Sequence, residues 1–142
     1  MIVGFDNIKN YLPQREPMMM VDTLISHIDN VTKSAFTIRK DNVLVENECL
    51  SEAGLLENMA QTAALGKGFE SIENQEHPPL GFIGAVKRFT IIQLPQINDR
   101  IETKVEIKHQ VMNATIAEAI IINNGMEIAR CELKIFLNPK TV

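Results

Sequence analysis

Glu57 and Gln61 lie four residues apart in the stretch EAGLLENMAQTAAL, residues 52–65. In a helix that spacing puts an amide one turn above a carboxylate on the same side. The carboxylate lies at the margin of a face rich in small and apolar residues. A carboxyl in that position can give or take a proton, and the amide is within reach of it or of the chain that carries it. The other candidate proton carriers are three histidines. His27 and His109 fall in strand-like segments, and His109 continues an apolar face as a core or interface residue. His77 sits in a polar loop before Pro78 and Pro79. Cys49 and Cys131 have neither a neighbouring base nor metal-ligand spacing and read as inert.

The elements that must hold these groups follow from the pattern. FDNIKNYL, residues 5–12, reads as a short helix stopped by Pro13. Val21 to Lys40 is strand-like, with a turn at Asp29-Asn30 and with Phe36 and Ile38 facing a core. Residues 41–50 read as loop. A helix is expected from about Ser51 to Phe69, with Leu56, Met59, Ala60 and Ala63 on its buried stripe. Residues 71–79 read as a loop. IETKVEIKH, residues 101–109, alternates apolar and charged residues, the mark of a half-buried antiparallel strand. Asn124-Gly125 between two β-rich runs signals a hairpin. One long helix followed by antiparallel strands predicts an α+β domain spanning residues 1–142, its sheet curled around the helix.

Composition narrows the classes of function. The 142 residues are 45% apolar and 23% charged, ordinary for a globular protein. The net charge of −4 lacks the clustered basic residues of a nucleic-acid footprint. No apolar run approaches the ~20 residues of a membrane span, and the first residues do not form a secretory signal. The reading is a reduced, cytoplasmic protein with no nucleic-acid or membrane partner and no call for a metal or other cofactor.

Three segments, in order, resemble the bacterial β-hydroxyacyl-acyl-carrier-protein dehydratases. YLPQREPMMMVDTL, residues 11–24, is similar to their Leu-Pro-His-Arg-x-Pro-(apolar)-Val-Asp segment. GLLENMAQTAAL, residues 54–65, is similar to their central helix, with Glu57, Ala60 and Gln61 on motif positions. FIGAVKRFTIIQLPQINDRIETKVEI, residues 82–107, resembles their strand and Pro-x-x-Gly-Asp-x-Leu turn, with Asn98 replacing the Gly. Relatives acting in aryl-polyene biosynthesis look closer still, since they too have a short loop before the helix. The resemblance implies the hotdog fold, a long central helix wrapped by a curled antiparallel sheet. It also implies a homodimer, or a heterodimer with another hotdog chain.

The same resemblance implies removal of the β-hydroxyl from a 3-hydroxyacyl thioester on acyl carrier protein, or from an acyl-CoA thioester. Glu57 would be catalytic, with Gln61, Gln14, Met19 and Gly54 contacting substrate. In the Met18-Met19-Met20 run the ordinary role is adaptable core; in this fold the run could also gate an acyl tunnel. Lys87 and Arg88 read first as a solvated pair, with contact to a carrier-protein phosphopantetheine as the alternative. The chain departs from the family in its histidines. The Gly-His-Phe-Pro-Gly run before the helix is replaced by KDNVLVENECLSEAG, residues 40–54, and Gln14 replaces the amino-terminal motif His. This leaves three alternatives: a dehydratase with altered chemistry, a thioesterase working through Glu57, and a non-catalytic subunit of a hotdog pair.

Overall fold

A computed structural model gives the fold and describes residues 2–76 and 81–137. A 3-10 turn at Ile8–Tyr11 precedes strands β1 (Thr23–Ile28) and β2 (Val31–Thr37). Two short strands, β3 (Val45–Glu46) and β4 (Cys49–Leu50), lead into helix α1 (Glu52–Glu73). Strands β5 (Gly81–Ile91), β6 (Arg100–Val111), β7 (Ala114–Asn123) and β8 (Met126–Leu137) follow. The main sheet has six strands in the order β1-β2-β6-β7-β8-β5, and every neighbouring pair is antiparallel. The helix touches β1, β2, β5, β6 and β7, so the sheet curls around it as a hotdog domain requires. Among the described residues no helix is long and apolar enough to cross a membrane.

Turn chemistry sets the hairpins. Asp29 and Asn30 adopt φ of 50° and 67°, and Asn124 and Gly125 adopt 52° and 77°. Side chains that tolerate left-handed backbone sit at each of these positions. Asn98 has φ of 76°, which explains how it stands in for the family's Gly. Within that turn the Gln96 amide donates to Asp99 Oδ2 at 2.9 Å.

The helix starts at Ser51, whose Oγ accepts the Gly54 N–H at 3.4 Å. It runs one turn past the expected end near Phe69, and Ser71–Glu73 are helical rather than loop. Gln75, at φ 59°, closes it. There the Glu76 N–H reaches the Ser71 carbonyl and the Gln75 N–H reaches that of Ile72, a Schellman end. Residues 41–50 also differ from expectation. They hold the β3–β4 hairpin around Asn47 and Glu48, at φ of 52° and 66°.

Leu55 and Met59 anchor the main core against Met20, Phe36, Ile101 and Leu133. Full burial of each such side chain stabilises the fold by about 1.5–3 kcal/mol. Ile101, Thr103 and Val105 are buried, as the alternation of β6 requires. His109 is exposed, not in the core. A bulge between Ile107 and His109 shifts the register of β6 against β7, and one extra residue reverses the alternation beyond it.

Candidate active site

The stripe expected to be buried does a different job. Of Leu56, Met59, Ala60 and Ala63, only Met59 is fully buried. Ala60, Ala63 and Ala64 instead face a cavity of about 290 Å³, whose opposite wall includes Val105, Ile107, Ala117 and Ile135. Side chains this small do not fill the space between helix and sheet. The deeply buried arc of α1 carries Asn58, Gln61 and Thr62 between its apolar residues. A reading that equates burial with apolarity misses it. These polar groups are buried because each is hydrogen-bonded.

Glu57 lies on the cavity wall. Its Oε2 accepts from Gln61 Nε2 at 2.9 Å. Gln61 Nε2 also donates to the Met18 carbonyl at 2.7 Å, and Gln61 Oε1 accepts the Met20 N–H at 2.7 Å. Asn58 adds a third tie through Nδ2 to the Met20 carbonyl at 2.7 Å, and Thr103 Oγ1 donates to Asn58 Oδ1. The backbone of residues 18–20 is thereby stapled to the helix, and the same amide that staples it orients the carboxylate. Gln14 lines the cavity as well. Its side-chain carbonyl is buried with no hydrogen-bond partner among the described residues.

Other sequence candidates lie elsewhere. Met19 is buried away from this cavity, in a separate hollow with Phe5, Pro17 and Phe36. Gly54 does not line the cavity either. It packs on Leu50, where a side chain would collide, and its N–H is taken by Ser51. Met18 is exposed and Met20 is core. Lys87 and Arg88 are exposed, and Arg88 pairs with Glu132 at 3.7 Å across to β8. Cys131 is buried with its thiol 3.3 Å from Met59 Sδ, and burial pushes that thiol up to about 11. His77 lies outside the described residues. Among the described residues no cluster of three or more His, Cys, Asp or Glu is placed to hold a metal ion.

His27, by contrast, reaches the same cavity, at its other end. Its Nε2 is 2.9 Å from Glu70 Oε1 and its Nδ1 is 2.8 Å from Thr32 Oγ1. Lys67 Nζ stands 3.6 Å from Glu70 Oε2. The His27–Glu70 contact links residues 43 apart in sequence. The only local signal was a histidine in a strand opposite a helix with polar residues in its last turns.

The ApeP-like family, described as ApeP dehydratase, matches residues 6–142. The chain belongs to the ApeP-like dehydratase family. No curated protein sequence matches. Among solved structures it resembles a chain of the dehydratase heterocomplex ApeI:P from Xenorhabdus doucetiae, with a TM-score of 0.80 at 20% identity. That match covers 94% of this chain and 91% of the other. A Streptococcus mutans UA159 protein bound to acetyl-CoA matches with a TM-score of 0.71 at 11% identity, covering 92% and 98% of the two chains. A hypothetical thioesterase from Streptococcus pneumoniae TIGR4, solved with coenzyme A, matches at 0.67 and 12% identity, covering 84% and 87%. At these identities the solved structures share the fold with this ApeP-like chain.

Proposed function

We propose that this chain handles 3-hydroxyacyl thioesters carried on acyl carrier protein, as one half of a two-chain hotdog dehydratase in which Glu57 is the catalytic carboxyl. One observation carries the reading: Glu57 faces an otherwise largely apolar cavity beside the helix, with its carboxylate oriented by buried Gln61. Dehydration breaks the Cα–H bond and the Cβ–O bond, forms the Cα–Cβ double bond and releases water. Glu57, with its carboxyl in the acid form, gives its proton to the departing hydroxyl, which leaves as water, and is left as the carboxylate. The Gln14 carbonyl, on the same cavity, accepts that hydroxyl's own hydrogen and aims its oxygen at Glu57.

The Cα proton needs a second group. Among the described residues, the other proton carriers on the cavity wall are His27, Lys67 and Glu70. Glu70 is thirteen residues along α1 from Glu57, and at 1.5 Å per residue this is ~20 Å. That is too far for one reacting centre, so the partner chain supplies the second base. Strand β5 is where the partner docks. Among the described residues it pairs on one side only, with β8, whereas residues 2 and 3 cover part of β1's edge at Leu24. Unpaired edges of this kind invite another strand. The similarity to a chain of a dehydratase heterocomplex supports a second, different hotdog chain.

The test is product analysis with 3-hydroxyacyl and saturated acyl thioesters on carrier protein, for the chain alone and for the chain with its co-purified hotdog partner. Enoyl product from the pair supports the proposal. Free acid would replace it with a thioesterase reading. Turnover by the pair that survives Glu57→Gln undiminished would reduce the chain to a non-catalytic subunit.

A further inference from the structure

The cavity that begins at Glu57 does not end in apolar residues. Ala60, Ala63, Ala64, Val105, Ile107 and Ile135 line it, but so do the polar residues His27, Thr32, Lys67 and Glu70. These four groups form one connected cluster. Thr32 Oγ1 bonds His27 Nδ1, His27 Nε2 bonds Glu70 Oε1, and Lys67 Nζ approaches Glu70 Oε2. The His27 side chain is only 10% exposed, and Phe69 lies edge-on to its ring at 5.8 Å. The close approach also depends on Gly66. A side chain there would run into the Thr32 hydroxyl and crowd His27 Nδ1.

We propose that this cluster is a specificity-determining subsite that binds a neutral hydroxyl at the far end of an acyl chain whose thioester lies at Glu57. The inference rests on the acyl-thioester reading above and adds to it the identity of the chain's other end. Capacity left in the cluster defines the group it takes. The Glu70 carboxylate has about four acceptor positions, and the Lys67 ammonium has three donors, so both exceed their partners here. A hydroxyl can donate to Glu70 and accept from Lys67 at once. An anionic terminus meets the Glu70 charge, and a cationic one meets Lys67. A methyl terminus would leave the polar wall desolvated without a new partner, which costs free energy. A cavity of about 290 Å³ is at the small end of the ligand-pocket range and suits a single chain.

The probes are S-acyl pantetheines of increasing chain length and their ω-hydroxy counterparts, with binding measured by calorimetry on the assembled protein. At the length that spans the cavity, the ω-hydroxy probe should bind about tenfold or more tighter than the methyl-ended one, the effect of one hydrogen bond to a charged group. His27→Phe and Glu70→Leu should each erase that preference while leaving affinity for short methyl-ended probes within about twofold. The short probes stop before the cluster, so they report folding and the Glu57 end together. Equal binding of the two series at every length, or a preference that survives both substitutions, overturns the subsite and leaves the acyl-thioester reading intact. Failure of both series to bind at any length removes both.

Discussion

Gln61 holds Glu57 and the chain opposite it with one side chain. Its Nε2 donates to Glu57 Oε2 at 2.9 Å and to the Met18 carbonyl at 2.7 Å, while its Oε1 accepts the Met20 N–H at 2.7 Å. The two residues are one helical turn apart, yet their roles differ. Glu57 is half-buried at the cavity and can change without disturbing the core. Gln61 is fully buried and cannot.

Glu57→Gln should therefore abolish turnover and spare the fold. The substitution keeps size and still offers Gln61 a carbonyl acceptor. A positioned acid or base contributes about 10²–10⁴ in rate, so a loss of at least ~100-fold is expected in the enoyl-forming assay. The urea midpoint should stay with wild type, as it does for most changes away from the core. A variant as active as wild type would make Glu57 a charge at the edge of the helix and nothing more.

Gln61→Leu should do the reverse and unfold the protein more easily. It leaves the Met20 N–H and the Met18 carbonyl without their side-chain partner. The buried Met20 N–H so orphaned costs about 1–3 kcal/mol, whereas the part-buried Met18 carbonyl can turn to water. A loss of about 1–3 kcal/mol should show in urea unfolding at constant m-value. A loss below ~1 kcal/mol would mean the segment of residues 18–20 finds other partners.

The sequence carried the fold because its signals were periodic or local. IETKVEIKH alternates and becomes β6; Asp29-Asn30 and Asn124-Gly125 become the turns they resemble. The helix was legible, but its orientation was not. Small residues at Ala60 and Ala63 look like close packing, and only the position of the sheet shows that they border a cavity. The bulge after Ile107 hid the fate of His109, since one extra residue leaves no mark in composition. His27 and Glu70 are joined across 43 positions with no motif between them. Glu57 entered as a candidate by its place on the helix and by family likeness. Met19 and Gly54 came from that likeness too, and neither lines the cavity.

Gly66 and Thr32 should show strong coupling. Replacing a helical Gly by Ala ordinarily gains up to ~1 kcal/mol. Here the added methyl would strike the Thr32 hydroxyl, and overpacking of this kind costs about 1–3 kcal/mol. Gly66→Ala should thus destabilise the wild-type background and become nearly neutral with Thr32→Ala. The double-mutant cycle should return an interaction of about 1–2 kcal/mol. Additive effects would show that α1 shifts to make room.

The two thiols should behave as opposites, and Cys131 should leave a mark on alkaline stability. Cys131 is buried against Met59, and desolvation raises its thiol from 9.0 to about 11. Because the thiolate is the reactive species, a maleimide should label the half-buried Cys49 in the native protein and Cys131 only after unfolding. The sign of the pH effect follows from the same shift. In the unfolded chain the thiol ionises from about 9, whereas in the fold it keeps its proton until about 11. Between those values the folded state binds more protons, so stability falls as pH rises. The contribution is complete below the lower value. Cys131→Ala should lower stability at neutral pH by leaving a small cavity, and it should flatten the fall across the alkaline window. Urea midpoints measured below, within and above the window compare the two slopes. Parallel slopes would show that other groups, and not the Cys131 thiol, drive the alkaline loss.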